Sequence, residues 1–179
     1  MENITTDRLL LRPWEDSDVD FVYDLYSRWV VQRFIGQEPR VMESRSEAVE
    51  RVERFKAINH PIHGIWAVTG KDDGRLLGTL LLKPIPESGE EPMVASQDVE
   101  IGWHFHPDQW GNGYASEAAN AVLEHAFLSG LPRVVAVTNP ANESSQSVCR
   151  RIGMAEKGLT EKYYNSTCEL FVLENPATS

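Results

Sequence analysis

Residues 99–127 place the tightest limit on what this chain can become. Val99-Glu100-Ile101-Gly102-Trp103-His104-Phe105 is a strand-like run with one carboxylate in it, and Asn112-Gly113 follows shortly after. Beyond the glycine, Ala115, Ala118, Ala119, Val122, Leu123, Ala126 and Phe127 recur three and four apart, with Ser116, Glu117, Asn120, Glu124 and His125 between them. Asn-Gly is the strongest two-residue hairpin signal when alternating strands flank it. Here the flank has helical period instead. A strand passing through glycines into a helix leaves unpaired backbone N–H groups at the positive end of the helix dipole, and glycine lets an anion approach them closely. The backbone from Trp110 to Ser116 is therefore expected to bind phosphate.

Two common nucleotide motifs fail on their own terms. A Walker loop needs Gly-Lys-Ser/Thr at the helix start, and it is absent. A dinucleotide fingerprint needs a third glycine near position 116, which is serine.

At this point the chain resembles the GNAT N-acetyltransferases. Gly113-Tyr114-Ala115 looks like the end of their acetyl-CoA signature, and Trp110-Gly111-Asn112-Gly113-Tyr114-Ala115-Ser116-Glu117-Ala118 is similar to the branch containing the Rim-type ribosomal-protein N-terminal acetyltransferases. Thr6-Asp7-Arg8-Leu9-Leu10-Leu11-Arg12, followed by Asp16-Ser17-Asp18, resembles that branch's opening. Asn142-Glu143-Ser144-Ser145, with Gly153-Met154 closing the next helix, resembles its second CoA-proximal motif. The likeness runs from Thr5 to about Leu173. It implies an α/β/α sandwich around a mixed, mostly antiparallel sheet, with a parallel pair splayed at the acetyl-CoA site.

Length and composition agree. At 179 residues, with 41% hydrophobic and 25% charged residues, the chain suits one soluble domain, 1–179, with a tail fraying from about 174. A net charge of −10 argues against nucleic acid as a partner. The opening Met1-Glu2-Asn3-Ile4 has neither a basic region nor an apolar run, and no stretch approaches a membrane span, so a cytoplasmic protein without signal peptide or membrane contact is expected. Cys149 and Cys168 are few and far apart, which suits reduced thiols.

Strands are expected at Arg8–Arg12, Ile65–Thr69, Arg75–Leu82, Val99–Phe105 and Arg133–Val137, with two more over 154–164 and 167–173. Helices are expected after Asp16 or Ser17, from Ser44 or Ser46 to about Asn59 with Val49, Val52 and Phe55 inward, from Gly113 to Ser129, and from Asn142 to about Ile152. The stretch Trp29–Gly36 is apolar and ambiguous, and Trp29–Ile35 is a candidate dimer surface. Residues 84–98, with three prolines and four acids, lack periodicity and read as a long loop, either a lining of the acceptor pocket or a mobile insertion.

Acetyl transfer to an amine needs a pyrophosphate site, donors for the thioester oxygen, a base and an acid. The resemblance implies acetyl-CoA as co-substrate, with pantetheine along the backbone of Ile101, Gly102 and Trp103 and the pyrophosphate over Trp110, Gly111, Asn112, Gly113, Tyr114, Ala115 and Ser116. It also implies Glu100 as base, with Glu161 as the alternative. The position where many relatives keep a tyrosine as thiolate acid is Cys149 here, so Ser145 is the substitute acid, with Tyr163 or Tyr164 in reach and Asn142 orienting pantetheine. Alternation puts Glu100, His104 and His106 on one face, which allows a proton relay or ordinary structural histidines. Arg150 and Arg151 read as surface residues or as ligands of the CoA 3′-phosphate. The histidine spacing matches no zinc pattern. The acceptor is a protein N-terminal α-amine or a small amine. A CoA-binding sensor without turnover is the competing reading.

Overall fold

Apolar β-branched runs and two amphipathic helix pairs sort this chain into one sheet with helices on both sides. The computed structural model describes residues 2–178. In chain order the strands are β1 (Ile4–Thr5), β2 (Leu9–Arg12), β3 (Gly64–Gly70), β4 (Leu76–Pro86), β5 (Ala95–Phe105), β6 (Arg133–Thr138), β7 (Ala155–Thr160) and β8 (Cys168–Glu174). The helices are α1 (Val19–Tyr26), α2 (Trp29–Gln32), α3 (Arg45–Lys56), α4 (Tyr114–Leu128) and α5 (Glu143–Arg151). Among the described residues the strands form a single sheet in the order β1-β2-β3-β4-β5-β6-β8-β7. Every neighbouring pair is antiparallel except β5 and β6. This is the mixed, mostly antiparallel sheet that the resemblance implies.

One core lies between the sheet and α4 and α5. Trp66, Leu80, Leu82, Ile101 and Phe105 meet Ala118, Ala119, Val122, Ala126 and Cys149 there. A second core joins α1 and α3 to the opposite face through Val22, Leu25, Tyr26, Ala48, Val52 and Ala67. Removing such side chains from water is the main stabilising contribution, at roughly 25 cal/mol per Å². Ser44 starts α3, its hydroxyl accepting from the Glu47 N–H, as a helix-capping serine does. The helix stops at Lys56 and buries Ala48 and Val52, while Val49 stays 40% exposed, so the inward position expected of Val49 falls to Ala48.

Residues 84–98 are not a long loop. β4 runs on to Pro86 and β5 begins at Ala95, leaving a connection over 87–94. Pro84 and Pro86 hide the strand from a sequence reading, because proline cannot donate to a ladder. A register shift between them absorbs the irregularity. The ambiguous stretch after Tyr26 resolves into the single turn α2 and a strap over 33–37. The end of the chain is tied down further than expected. Glu174 pairs with Arg133, and the buried Asn175 donates through Nδ2 to the carbonyls of Phe127 (3.2 Å) and Leu131 (2.9 Å). Among the described residues no helix is long and apolar enough to cross a membrane.

Candidate active site

β5 and β6 are in ladder register at one pair only, Glu100 with Val135. Past it the strands diverge, and a cleft of about 1110 Å³ opens between them. The residues from Ile101 to Phe105 on β5 and from Ala136 to Asn139 at the end of β6 form its two edges. The first-choice base and acid and the expected co-substrate residues line this cleft: Glu100, Ile101, Gly102, Trp103, the run from Trp110 to Ser116, Asn142 and Ser145. Strand separation leaves the β5 edge beyond Glu100 without a ladder partner on the β6 side. A buried polar backbone in that condition needs a ligand or water. Thr138, buried on the β6 edge, has a hydroxyl with no partner among the described residues.

The cleft passes through the sheet, and alternation decides which side chains face which way. Ile101 and Phe105 join the core against α4, whereas His104 meets α1, its Nδ1 lying 2.9 Å from the Tyr26 hydroxyl. Glu100 and Gly102 share the α1 side with His104.

On the α4 side, Gly111 and Gly113 both have φ of +77°, a left-handed conformation that side chains resist. The Asn112 amide braces the turn by donating to the carbonyls of Gln109 (3.1 Å) and Trp110 (3.2 Å). Gly113 is the N-cap of α4, and its carbonyl accepts from Glu117, the first bond of the helix at that point. The N–H groups of Tyr114, Ala115 and Ser116 therefore lack intrahelical partners, as at any helix start. Arg8 fixes the turn from outside. Its guanidinium lies 4.8 Å from the Tyr114 ring centroid and 2.6 Å from Glu117.

Asn142 caps α5. Its Oδ1 accepts from the Ser145 N–H at 3.2 Å, and its Nδ2 donates to Ser145 Oγ at 3.1 Å. The Ser145 hydroxyl proton is thereby free to point elsewhere. Cys149 does not line the cleft; it is fully buried, and burial pushes its thiol up to about 12. Arg150 is occupied by Glu143 (2.7 Å) and Glu156 (3.0 Å) at the surface. Arg151 faces the cleft instead, donating to Ser116 Oγ at 3.2 Å. Helical spacing separates these adjacent arginines by roughly 100°, which sequence alone could not orient.

On the α1 side Glu100 is buried, and its Oε1 forms an ion pair with Lys83 Nζ at 2.7 Å and accepts a hydrogen bond from the Tyr164 hydroxyl. Lys83 also donates to the Tyr164 oxygen at 3.0 Å. Burial and the negative charge of Glu100 raise Tyr164, so the phenol keeps its proton. Glu100 Oε2 has no hydrogen bond among the described residues.

Lys83 escaped the sequence reading because the hairpin did. Once β4 is extended through 84, Lys83 stands directly opposite Glu100. Tyr164 arrives from a turn with φ of +60° at Tyr164 and +48° at Asn165. The 87–94 connection does not line the cleft; it holds that turn, through Ser88 N–H to Lys162 O (2.8 Å) and Gly89 N–H to Asn165 Oδ1 (2.8 Å).

The expected histidine relay does not assemble. His104 is held neutral, with burial and then the positive Arg51 and Lys83 lowering it to about 4. His106 Nε2 sits 3.0 Å from Asp24 and outside the cleft lining. Glu161 is exposed, takes a bond from Thr167 (3.3 Å) and does not line the cleft.

A family model described as the acetyltransferase (GNAT) domain matches residues 8–155. Two Bacillus subtilis proteins, both named uncharacterized N-acetyltransferases, are similar over most of their length. YoaA is 30% identical over 162 residues, covering 89% of this chain and 86% of its own. YnaD is 32% identical over 161 residues, with the same two coverages. Among solved structures, a GNAT-family acetyltransferase from Bacillus anthracis superposes with a TM-score of 0.78 at 24% identity, covering 97% of this chain and 99% of that one. The ribosomal alpha-N-protein acetyltransferase RimL, in complex with coenzyme A, does so with a TM-score of 0.77 at 18% identity, covering 98% and 99%. The matched model takes in the first long strand, the splayed pair and the helix whose start borders the cleft; the chain belongs to the GNAT N-acetyltransferase family.

Proposed function

We propose that this protein transfers acetyl from acetyl-CoA directly to an amine, either a protein N-terminal α-amine or a small molecule. The observation carrying the reading is the single-register β5/β6 pair, which opens the sheet beside a glycine-shaped helix start. The residues present suit the co-substrate. Backbone N–H groups from Gly111 to Ser116 suit a pyrophosphate, and Arg151 adds a cation beside them. The unpaired β5 edge and the orphaned Thr138 hydroxyl suit the amides of a pantetheine arm.

Acetyl-CoA supplies the activated acyl group. The chain supplies position and proton handling. Glu100 Oε2, free of internal bonds, takes the proton of the acceptor ammonium, while Lys83 and Tyr164 fix the carboxylate through Oε1. β5 N–H groups polarise the thioester oxygen, the electrostatic contribution that is usually largest. Ser145, its oxygen already bonded by Asn142, has its proton to give to the departing sulfur. Tyr164 is less suited to that task, since its proton is committed to Glu100.

The test is thiol release from acetyl-CoA against N-terminal peptides and small amines, with Glu100→Gln in parallel. Turnover on one acceptor class that falls at least a hundredfold in the variant, with acetyl-CoA affinity kept, is the expected result; positioned general bases contribute about that much. Tight CoA binding with no thiol release on any acceptor points to the sensor instead.

A further inference from the structure

The chain carries 27 acidic and 17 basic residues, for a net charge of −10. The cleft reverses that balance. Glu100 is the one carboxylate among its lining residues, against Arg33, Lys83 and Arg151. These charges divide between the two sides of the sheet. Arg151 stands with Ser116 on the α4 side. Lys83, Glu100 and Arg33 stand on the α1 side, where an acceptor would enter.

On that side Lys83 and Glu100 offset one another at 2.7 Å, and Arg33 is left over. It ends α2, its backbone N–H bonded to the Trp29 carbonyl at 2.8 Å. Its guanidinium lies 4.7 Å from the Phe34 ring centroid. Among the described residues its side chain makes no ion pair or hydrogen bond. The strap that begins at Arg33 ends at Gln37, whose amide donates to the Tyr164 carbonyl. Arg33 and the Glu100 cluster therefore belong to one wall. A guanidinium lying over an aromatic ring keeps its N–H edge open, and that planar edge matches a carboxylate through two parallel bonds.

We infer that the acceptor carries a carboxylate besides its amine, and that Arg33 is the residue that holds it. The inference rests on the acetyl transfer proposed above and narrows its substrate class. Two sources share this chemistry: the α-carboxylate of a free amino acid, and an acidic side chain next to a peptide N-terminus. A polycationic amine meets the reverse situation, an unpaired guanidinium with the cleft carboxylate already neutralised by lysine.

The experiment uses two matched acceptor pairs in the thiol-release assay. One is an amino acid against its carboxamide; the other is an amidated peptide beginning Ser-Asp against one beginning Ser-Asn. Spermidine serves as the cationic acceptor, and the wild type is compared with Arg33→Gln and Arg33→Lys. Arg33 is exposed, so neither substitution removes a core contact. We expect the carboxylate member of one pair to exceed its neutral twin about tenfold or more in kcat/KM, through KM. That ratio should fall toward one in Arg33→Gln and partly return in Arg33→Lys, and the pair showing it identifies the source. Equal rates in both pairs, a ratio that survives Arg33→Gln, or a preference for spermidine overturns the inference while leaving acetyl transfer intact. CoA binding with no release on any of the five acceptors overturns acetyl transfer and this inference together.

Discussion

His104 is the residue whose surroundings make the clearest demand on pH. Its ring sits edge-on to Tyr26, with Nδ1 at the buried phenol that also donates to Thr79 Oγ1 at 3.1 Å. Burial, then Arg51 and Lys83, lower it to about 4. An unfolded histidine titrates near 6.5. Between those values the unfolded chain binds a proton that the folded chain refuses, so stability must fall as pH drops from about 6.5 to about 4. We expect the urea midpoint to decline between about pH 7 and about pH 4.5 by an amount equivalent to about 1–3 kcal/mol. In His104→Asn the larger part of that slope should vanish, leaving a remainder from His63, which burial and then His60 lower in the same direction. Asp98 does not interfere. Burial works to raise it, but bonds from Tyr163, Lys162 and Arg133 outweigh burial and hold it at about 2. Its stabilisation is complete above about 3.8 and is lost only as pH falls through about 2. An unchanged slope in the histidine variant would remove His104 from this account.

At the scale of elements, the start of α4 and the β4–β5 hairpin behave differently under substitution. Gly113 has φ of +77°, and an added Cβ would find its nearest neighbour, Arg8 Nη2, at 3.6 Å. Space is available, and the cost is conformational alone. Gly113→Ala should fold with about 1–2 kcal/mol less stability and bind acetyl-CoA more weakly. Calorimetric titration beside thermal melts would separate the two effects, and unimpaired affinity would argue against an anion site there. Asp98, near the start of β5, ties that strand to Arg133 on β6 (2.5 Å) and to Lys162 (2.9 Å) and Tyr163 (2.7 Å) beyond β7. Asp98→Asn should cost about 2 kcal/mol, since it leaves two cations short of a partner while both stay partly hydrated. An equilibrium denaturation series measures it.

The same comparison explains what was legible in sequence. The α4 start was readable because helical period, glycine placement and strand polarity all act within some thirty consecutive residues. Glu100 was readable for the same reason. Its partners were not, because Lys83 comes through a hairpin masked by two prolines and Tyr164 through a turn held by residues 75 or more positions away. Arg33 was hidden in an apolar stretch without clear period. Arg151 could be told from Arg150 only by the rotation of α5.

Across the whole molecule, the sheet is two sheets sharing a seam. β1 to β5 form one continuous antiparallel plate, and β6 to β8 form another. The joint is one ladder pair, Glu100 with Val135, together with an isolated bridge between Glu87 and Tyr163 and the Asp98 cluster, and beyond Glu100 toward Phe105 no ladder bond crosses it among the described residues. A seam with so few bonds is where the fold opens most cheaply. A long ligand lying in it would act as a rivet, bonding to strand edges that have no neighbour of their own. Coenzyme A at about a hundred times its Kd should add about 2.7 kcal/mol of stability. Slowed amide exchange should concentrate at Trp103, Phe105 and Val137, along the two facing edges, because the His106 N–H bonds to Leu77 on the β4 side and alternation turns the Trp103 and Phe105 N–H groups the other way. Protection confined to the start of α4 would mean that the rivet holds one plate only. On the expected outcome, what evolution left unpaired in the sheet would be the same backbone that a passing metabolite completes, and the fold would be most cohesive during turnover and loosest between encounters.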